Sequence, residues 1–217
     1  MALAVLRAGD PDLDALRRAA ATNSVLAGER ALPVLDALDS LLPEGIRRGV
    51  TATVDGGPGS TALALALGAA ASRAGSWVGL VGAPELGLLA ASELGLAPER
   101  LLVVPDCAAR SVSTVVAALL DTVDVVYLRS GDVTAADARR LQARAREREA
   151  VLVPLGSWPV GADVRLSVSS PEWHLDGRLV ARTVEVTASG KGVYARERRA
   201  RLWLPDKTGS VSRASSP

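Results

Sequence analysis

One segment constrains the fold of this chain more than any other, namely residues 49–75, GVTATVDGGPGSTALALALGAAASRAG. The apolar run Thr51–Asp55 is followed by a glycine-rich turn, and then by the amphipathic stretch Thr61–Ala74. Glycine allows a chain to turn sharply out of a strand, because it tolerates backbone angles that other residues avoid. The segment therefore predicts a strand, a tight turn and a helix in direct succession.

The turn has the frame of a phosphate-binding loop but lacks the lysine of that motif. The motif GxxxxGK[ST] uses its lysine to reach the β and γ phosphates and its hydroxyl residue to hold the metal ion. Ser60 stands where the lysine belongs, and if Thr61 is the hydroxyl residue, the first glycine of the motif falls on Val54. The sequence therefore predicts that this loop does not support phosphoryl transfer.

Two interpretations of the glycine turn are open from the sequence. Gly57, Gly59, Ser60 and Thr61 lie at a helix start, where backbone N–H groups can bind an anion weakly without a lysine. In the second interpretation these small residues only allow the strand to turn tightly into its helix. If any phosphate binding is retained, we predict that these four residues provide it.

Strands and helices alternate from the turn onward. The predicted strands are Thr51–Asp55, Trp77–Val81, Leu101–Val104, Val123–Leu128 and Ala150–Leu155. The predicted helices between them are Thr61–Ala74, Leu86–Leu94, Val112–Leu120 and Thr134–Glu147. Mostly apolar strands separated by helices are typical of an α/β fold, in which a mostly parallel central sheet is flanked by helices.

The two ends of the chain have different patterns. Asp163–Ser169 and Leu179–Thr187 alternate polar and apolar residues, and Arg201–Leu204 follows as a predicted edge strand. This alternation predicts antiparallel strands added at the carboxyl end. Leucines at helical spacing predict helices in Asp12–Ala21 and Leu32–Leu42. We divide the chain into an N-terminal helical arm (1–30), a core (31–204) and a disordered tail (205–217).

Composition excludes several classes of protein. The chain has 217 residues, a net charge of +1, one cysteine and one histidine, His174. A lone cysteine and the lack of a signal-like start indicate a cytoplasmic protein, and no apolar stretch is long enough for a membrane span. With one histidine and no clustered ligands we predict no metal site. The net charge neither requires nor excludes a nucleic-acid partner.

The order of the segments resembles the core of the RecA family. The stretches LPVLDALDSLLPEGIRRGVTATVDGGPGSTAL and APELGLLAASELGLAPERLLVVPD look like its helix, phosphate-loop strand and glutamate-bearing segment. The resemblance covers roughly residues 32–192. Within that family the chain looks most like the actinobacterial ImuA-type (ImuA′) proteins, RecA-like accessory factors of damage-induced mutagenesis.

This resemblance implies a partner and a role. ImuA-type proteins are understood to support translesion DNA synthesis in the SOS response by binding an ImuB-type, Y-family polymerase-like adaptor of the mutasome. The resemblance thus implies a protein-binding scaffold with weak or indirect DNA binding, and it leaves self-association open. The linker GSWPVGA, before Asp163, is too short for the mobile DNA-binding loop of RecA.

Carried onto this sequence, the resemblance places Glu85 at the family's catalytic glutamate and Arg129 where the Walker B acid is expected. An arginine near the metal position repels magnesium, so we predict a non-catalytic protein without a cofactor. Two alternatives stay open, namely an ATPase or ATP-gated switch with an aberrant loop, and a SulA-type inhibitor that binds the division protein FtsZ.

Arginines cluster in two places. On the helix 134–147 they surround the predicted buried stripe Ala138, Leu141 and Ala145, which is typical of a solvated helix face. The second cluster combines arginines with an aromatic residue on the predicted edge strand, as centres of interfaces often do. We predict that this cluster binds the partner: Arg196, Arg198, Arg199, Arg201 and Trp203. The alternative is that Trp203 is buried against the sheet and the arginines face water.

Overall fold

The computed structural model describes residues 4–5, 29–105, 109–129, 131 and 133–214. Its strands, in chain order, are β1 (Ala4–Val5), β2 (Ala31–Leu32), β3 (Ile46–Arg47), β4 (Ala52–Gly56), β5 (Val78–Val81), β6 (Leu101–Val104), β7 (Val125–Arg129), β8 (Val151–Leu155), β9 (Val164–Leu175), β10 (Leu179–Gly190), β11 (Arg198–Trp203) and β12 (Ser212–Arg213). The α-helices are α1 (Ser60–Leu67), α2 (Ala69–Arg73), α3 (Leu88–Glu93), α4 (Ala109–Leu120) and α5 (Ala135–Glu147).

The central sheet has a parallel half and a mostly antiparallel half. The parallel half has the strand order β1-β6-β5-β7-β8, and the other half has the order β4-β9-β10-β11-β12. Strand β4 joins them. Thr51, directly before β4, forms a parallel bridge with Leu152 of β8, and β4 runs parallel to β9 from Ala52↔Val164 to Gly56↔Val168. The predicted α/β fold, a mostly parallel sheet with antiparallel strands at its carboxyl end, is confirmed.

Two hydrophobic cores cover the sheet unequally. The larger core lies on the face that holds α1, α2 and α3, and it extends from β6 to β11 with Leu80, Tyr127, Val184 and Leu202 among its members. The smaller core, between the other face and helices α4 and α5, includes no residue of β9 to β12. Strands β9 to β11 therefore have one face on the larger core and one face directed mostly toward solvent, as the alternation of their polar and apolar residues predicts.

Helix α5 shows how closely a strong pattern predicts burial. Its buried residues are Ala138, Leu141 and Ala145, as predicted, and Thr134 caps its start by accepting a hydrogen bond from the Asp137 N–H at 3.1 Å. A threonine at this position satisfies a backbone donor that has no partner inside the helix.

Two expectations differ from the structure at the ends of the core. Leu32–Leu42 is not a helix: it contains part of β2 and a short 3₁₀ turn, Asp36–Leu38, although its leucines are buried. Residues 205–214 do not form an irregular tail. The Asp206 carboxylate accepts hydrogen bonds from the N–H groups of Thr208 and Ser210, and β12 pairs with β11. The predicted helix Asp12–Ala21 and the last three residues lie outside the described residues.

The predicted helix Thr61–Ala74 is divided at Gly68, and a tyrosine of β7 explains the break. The Tyr127 hydroxyl donates to the Leu65 carbonyl and accepts from the Gly68 N–H, both at 3.0 Å. A Cβ on Gly68 would lie 2.6 Å from this hydroxyl, so only glycine leaves room for it. Burial raises the pKa of Tyr127, so the hydroxyl stays protonated and can donate. The bond fastens the helix after the glycine turn to the centre of the sheet.

The Tyr127→Phe variant tests this connection. Removing the hydroxyl leaves the Gly68 N–H and the Leu65 carbonyl with only their mutual hydrogen bond at 3.3 Å. The loss of the two bonds to Tyr127 should cost about 0.5–1.5 kcal/mol of unfolding free energy for each bond. We expect urea denaturation to show this loss. Tyr194→Phe is the control, because that hydroxyl binds the half-buried Arg47 N–H at 2.7 Å, which water can replace. An equal loss in both variants would contradict the special role of Tyr127.

Candidate functional site

Backbone N–H groups in and next to the glycine turn, residues 56–59, form hydrogen bonds within the protein. Gly56 and Gly59 have φ angles of 113° and 112°, which favour glycine, and Gly59 precedes α1 without any side-chain cap. The Gly57 N–H donates to the Val168 carbonyl of β9 at 3.4 Å, and the Ser60 N–H donates to the Gly57 carbonyl at 3.2 Å. Two of the four residues predicted to bind phosphate thus have N–H groups with protein partners. This arrangement favours the interpretation of the segment as a structural turn.

A cleft of about 340 Å³ opens beside the turn, at the carboxyl ends of β4, β7 and β8. Ser60 and Thr61 of α1 line it from one side, and Asp55 and Arg129 line it at the strand ends. This is the place where ligands bind in open α/β sheets, outside the carboxyl ends of parallel strands. The structure therefore brings Ser60, Thr61 and Arg129 together, as the sequence predicted from their motif positions.

The acidic side chains at this edge are paired with arginines. Glu85, in the loop after β5, forms an ion pair with Arg129, and both side chains are about half exposed. Asp55, at the end of β4, pairs with Arg165 of β9 at 3.3 Å. The sequence identified Glu85 and Arg129 separately, but it contained no signal that they contact each other, because they are 44 positions apart in the chain.

These pairs decide what the cleft can do chemically. Magnesium and a nucleoside triphosphate need a cation on the phosphates, an acid on the metal and a carboxylate that can activate water. The cleft has serine at the lysine position, and Arg129 both replaces the metal-binding acid and occupies Glu85. The residues present do not fit magnesium and ATP. Among the described residues, no group of three or more His, Cys, Asp and Glu side chains could hold a metal ion.

A buried arginine on the other side of the glycine turn was not predicted. Arg182 of β10 is 7% exposed, and a Cβ on Gly59 would lie 2.8 Å from its Nη2. Its Nε donates to the Leu204 carbonyl at 2.8 Å, and its guanidinium lies 4.9 Å from the centre of the Trp173 ring. Burial lowers its pKa, and it forms no ion pair with any described residue. The sequence could have indicated this burial, because Arg182 is spaced two and four residues from Val184 and Val186 and therefore shares their core-facing side of the strand.

The predicted partner-binding cluster is arranged differently from the expected edge strand. Strand β11 is not an edge along its whole length, because β12 pairs with its end at Leu202 and Trp203. Arg201 pairs with Glu172 at 3.1 Å and Arg199 with Glu197 at 2.8 Å, while the half-buried Trp203 ring lies 4.5 Å from the His174 ring.

Strand alternation divides this cluster between two faces. Arg199, Arg201 and Trp203 share one face of β11, and Arg198 points to the other, where its Nη1 donates to the Arg196 carbonyl at 3.3 Å. The five residues therefore do not form one continuous surface. His174 lies in β9.

Comparisons with known proteins agree with this architecture. A family model described as the MT3502 N-terminal domain matches residues 40–160. An uncharacterised protein of Mycobacterium tuberculosis (strain ATCC 25618 / H37Rv), Rv3395c, is 36% identical over 165 residues, which is 75% of this chain and 78% of that protein. The crystal structure of the RadB recombinase superposes with a TM-score of 0.59 at 16% identity, over 83% of this chain and 97% of that one. At this identity the likeness shows a RecA-like fold alone.

Two glycines of the turn provide a matched test of the packing at Arg182. Gly59→Ala forces a side chain into the left-handed region and against the guanidinium, at a cost of about 1–3 kcal/mol. Gly57→Ala has no atom within 4 Å of the new methyl group. We expect the unfolding free energy of Gly57→Ala to lie within about 0.5 kcal/mol of the wild-type value. Urea denaturation of both variants measures the difference, and equal losses would contradict the close approach of Arg182.

Proposed function

The chain belongs to the family of the MT3502 N-terminal domain, and we propose that it is a non-catalytic RecA-like scaffold in damage-induced mutagenic translesion DNA synthesis. In this proposal it acts in the cytoplasm and binds an ImuB-type, Y-family polymerase-like adaptor. The resemblance of its sequence to ImuA-type proteins, together with the RecA-like fold, supports this assignment.

The ion pair between Glu85 and Arg129 is the observation that carries the proposal. A RecA-like ATPase needs a free carboxylate at the first position and an acid at the second, because one activates water and the other holds magnesium. Here the two side chains neutralise each other at the mouth of the cleft. With Ser60 in place of the lysine, every charged group needed for hydrolysis is missing or occupied. This supports a role in binding and not in turnover.

The connection between β8 and β9 supports the same conclusion for DNA. RecA proteins grip single strands with long mobile loops, whereas here residues 156–163 link Leu155 directly to Val164. Within the described part of the chain, no helix is long and apolar enough to cross a membrane. We therefore propose protein surfaces, and not a DNA groove or a bilayer, as the main contacts of this domain.

Co-elution tests the proposal. The purified chain is mixed with the ImuB-type adaptor of the same organism and separated by size exclusion, with and without ATP and magnesium. We expect the complex to form equally well in both conditions, because nothing in the cleft responds to nucleotide. The Glu85→Gln and Arg129→Gln variants each replace one charged member of the ion pair by a neutral amide. Both variants should bind the adaptor as the wild type does.

Two results would contradict the proposal. A complex that forms only with ATP would mean that the cleft works as a nucleotide switch despite Ser60 and Arg129. Absence of a complex in both conditions would remove the adaptor as the partner, while the argument against hydrolysis would still stand on the residues of the cleft.

A further inference from the structure

Exposed apolar side chains are concentrated on one hairpin. Among the described residues, Trp173, Leu175 and Leu179 are 42%, 73% and 56% exposed, and all three lie in the hairpin of β9 and β10. Single exposed apolar residues are normal on protein surfaces, whereas a group of large ones in one place marks an interaction site. The fourth exposed large residue, Leu89, lies on α3.

The three side chains share one face of the outer hairpin, residues 169–182, which we call the ribbon. Leu179 is directly opposite Leu175 in the register, and Trp173 is two residues before Leu175 on the same strand. Side chains two apart on a strand point to the same face. Arg182 is opposite Trp173, and Val184 and Val186 continue its row into the larger core. The apolar stripe is thus an uncovered extension of the core-facing side of the sheet.

The ribbon is built to bind through this face and not through its edge. Strand β4 ends at Gly56 opposite Val168, so no described strand pairs with that side of β9 from residue 169 onward. An open edge invites strand addition, but Ser170 has a φ of 48° and Pro171 has no N–H. These two residues interrupt the pattern that an added strand would need.

Charge indicates what kind of partner fits. Arg182, at the base of the stripe, is 7% exposed, and its guanidinium contacts the Trp173 ring and the Leu204 carbonyl, but no described acidic side chain forms an ion pair with it. Buried arginines are normally paired with an acid. At the tip, Asp176 and Arg178 offset each other. A second copy of the chain would bring a second Arg182 to the same contact, which opposes a symmetric dimer through this face.

We propose that the apolar face of the ribbon (Trp173, Leu175 and Leu179, with Arg182 at its base) is the docking surface for a segment of the protein partner that combines apolar side chains with a carboxylate. The apolar side chains cover the stripe, and the carboxylate lies next to the Trp173 edge, where it compensates Arg182. The inference rests on the proposed function, because the partner is the ImuB-type adaptor. It replaces the arginine cluster of β11 as the centre of the interface.

Four variants of the full chain test the ribbon by titration of a fluorescently labelled adaptor. Leu175→Ser with Leu179→Ser should weaken binding about tenfold or more, as loss of central interface residues does. Leu89→Ser is the control, because Leu89 is a leucine of similarly high exposure that lies on α3 and not on the ribbon, and this variant should bind as the wild type does. Arg182→Gln should also weaken binding and reduce its dependence on salt, whereas Arg182→Lys keeps the charge and should retain most of the salt dependence. Circular dichroism and melting curves verify that each variant is folded.

The outcomes separate the two proposals. If the wild type and the ribbon variant bind the adaptor equally, the ribbon proposal is wrong and the proposed function stands. If the wild type does not bind the adaptor, the proposed function is wrong and the ribbon proposal, which rests on it, fails with it. Light scattering of the chain alone provides a further check. A dimer that the two leucine substitutions dissolve would show that a second copy covers the stripe, and this would overturn the proposal.

Discussion

Strand β4 is the constraint on which the architecture depends. It has a parallel neighbour on each side, through the bridge from Thr51, at its start, to Leu152 of β8 and through the ladder to β9, and it therefore joins the two halves of the sheet. A strand in this position must leave the sheet by a sharp turn, and the glycines at its end allow that. The Tyr127 hydroxyl then fastens the following helix to β7. The glycine turn is thus sufficiently explained by the requirements of the fold.

The charges around the turn have the opposite arrangement to that of a nucleotide site. In a working site cations face the phosphates and acids face the metal and the water. Here Arg129 forms an ion pair with Glu85, and Arg165 forms one with Asp55. The buried Arg182 lies next to Gly59 of the turn and contacts the Trp173 ring. In the proposed function the fold serves as a scaffold without nucleotide chemistry, and the uncovered apolar surface of the ribbon is its proposed docking site.

The sequence predicted the features that depend on local periodicity. The five parallel strands from β4 to β8 and helix α5 were found from runs and stripes of apolar residues, and Ser60 and Arg129 from their motif positions. Features that depend on contacts distant in sequence were not found. The break at Gly68 requires Tyr127, and the partner of Glu85 lies 44 positions later in the chain, at the end of β7. The leucines of Leu32–Leu42 have helical spacing in the sequence, but they are buried in a segment that is mostly not helical. The predicted strands Asp163–Ser169 and Leu179–Thr187 omit the outer part of the hairpin, because Pro171 and the charged residues after it have the composition of a loop.

The central claim is that this RecA-like chain works without a nucleotide. Isothermal titration calorimetry of the purified chain with ATP and magnesium tests it most directly, because the measurement needs neither a partner nor turnover. The account predicts no saturable heat up to millimolar ATP, since the lysine is absent and the Gly57 and Ser60 N–H groups have protein partners. Saturable heat in the micromolar range, with about one ATP bound per chain, would contradict it.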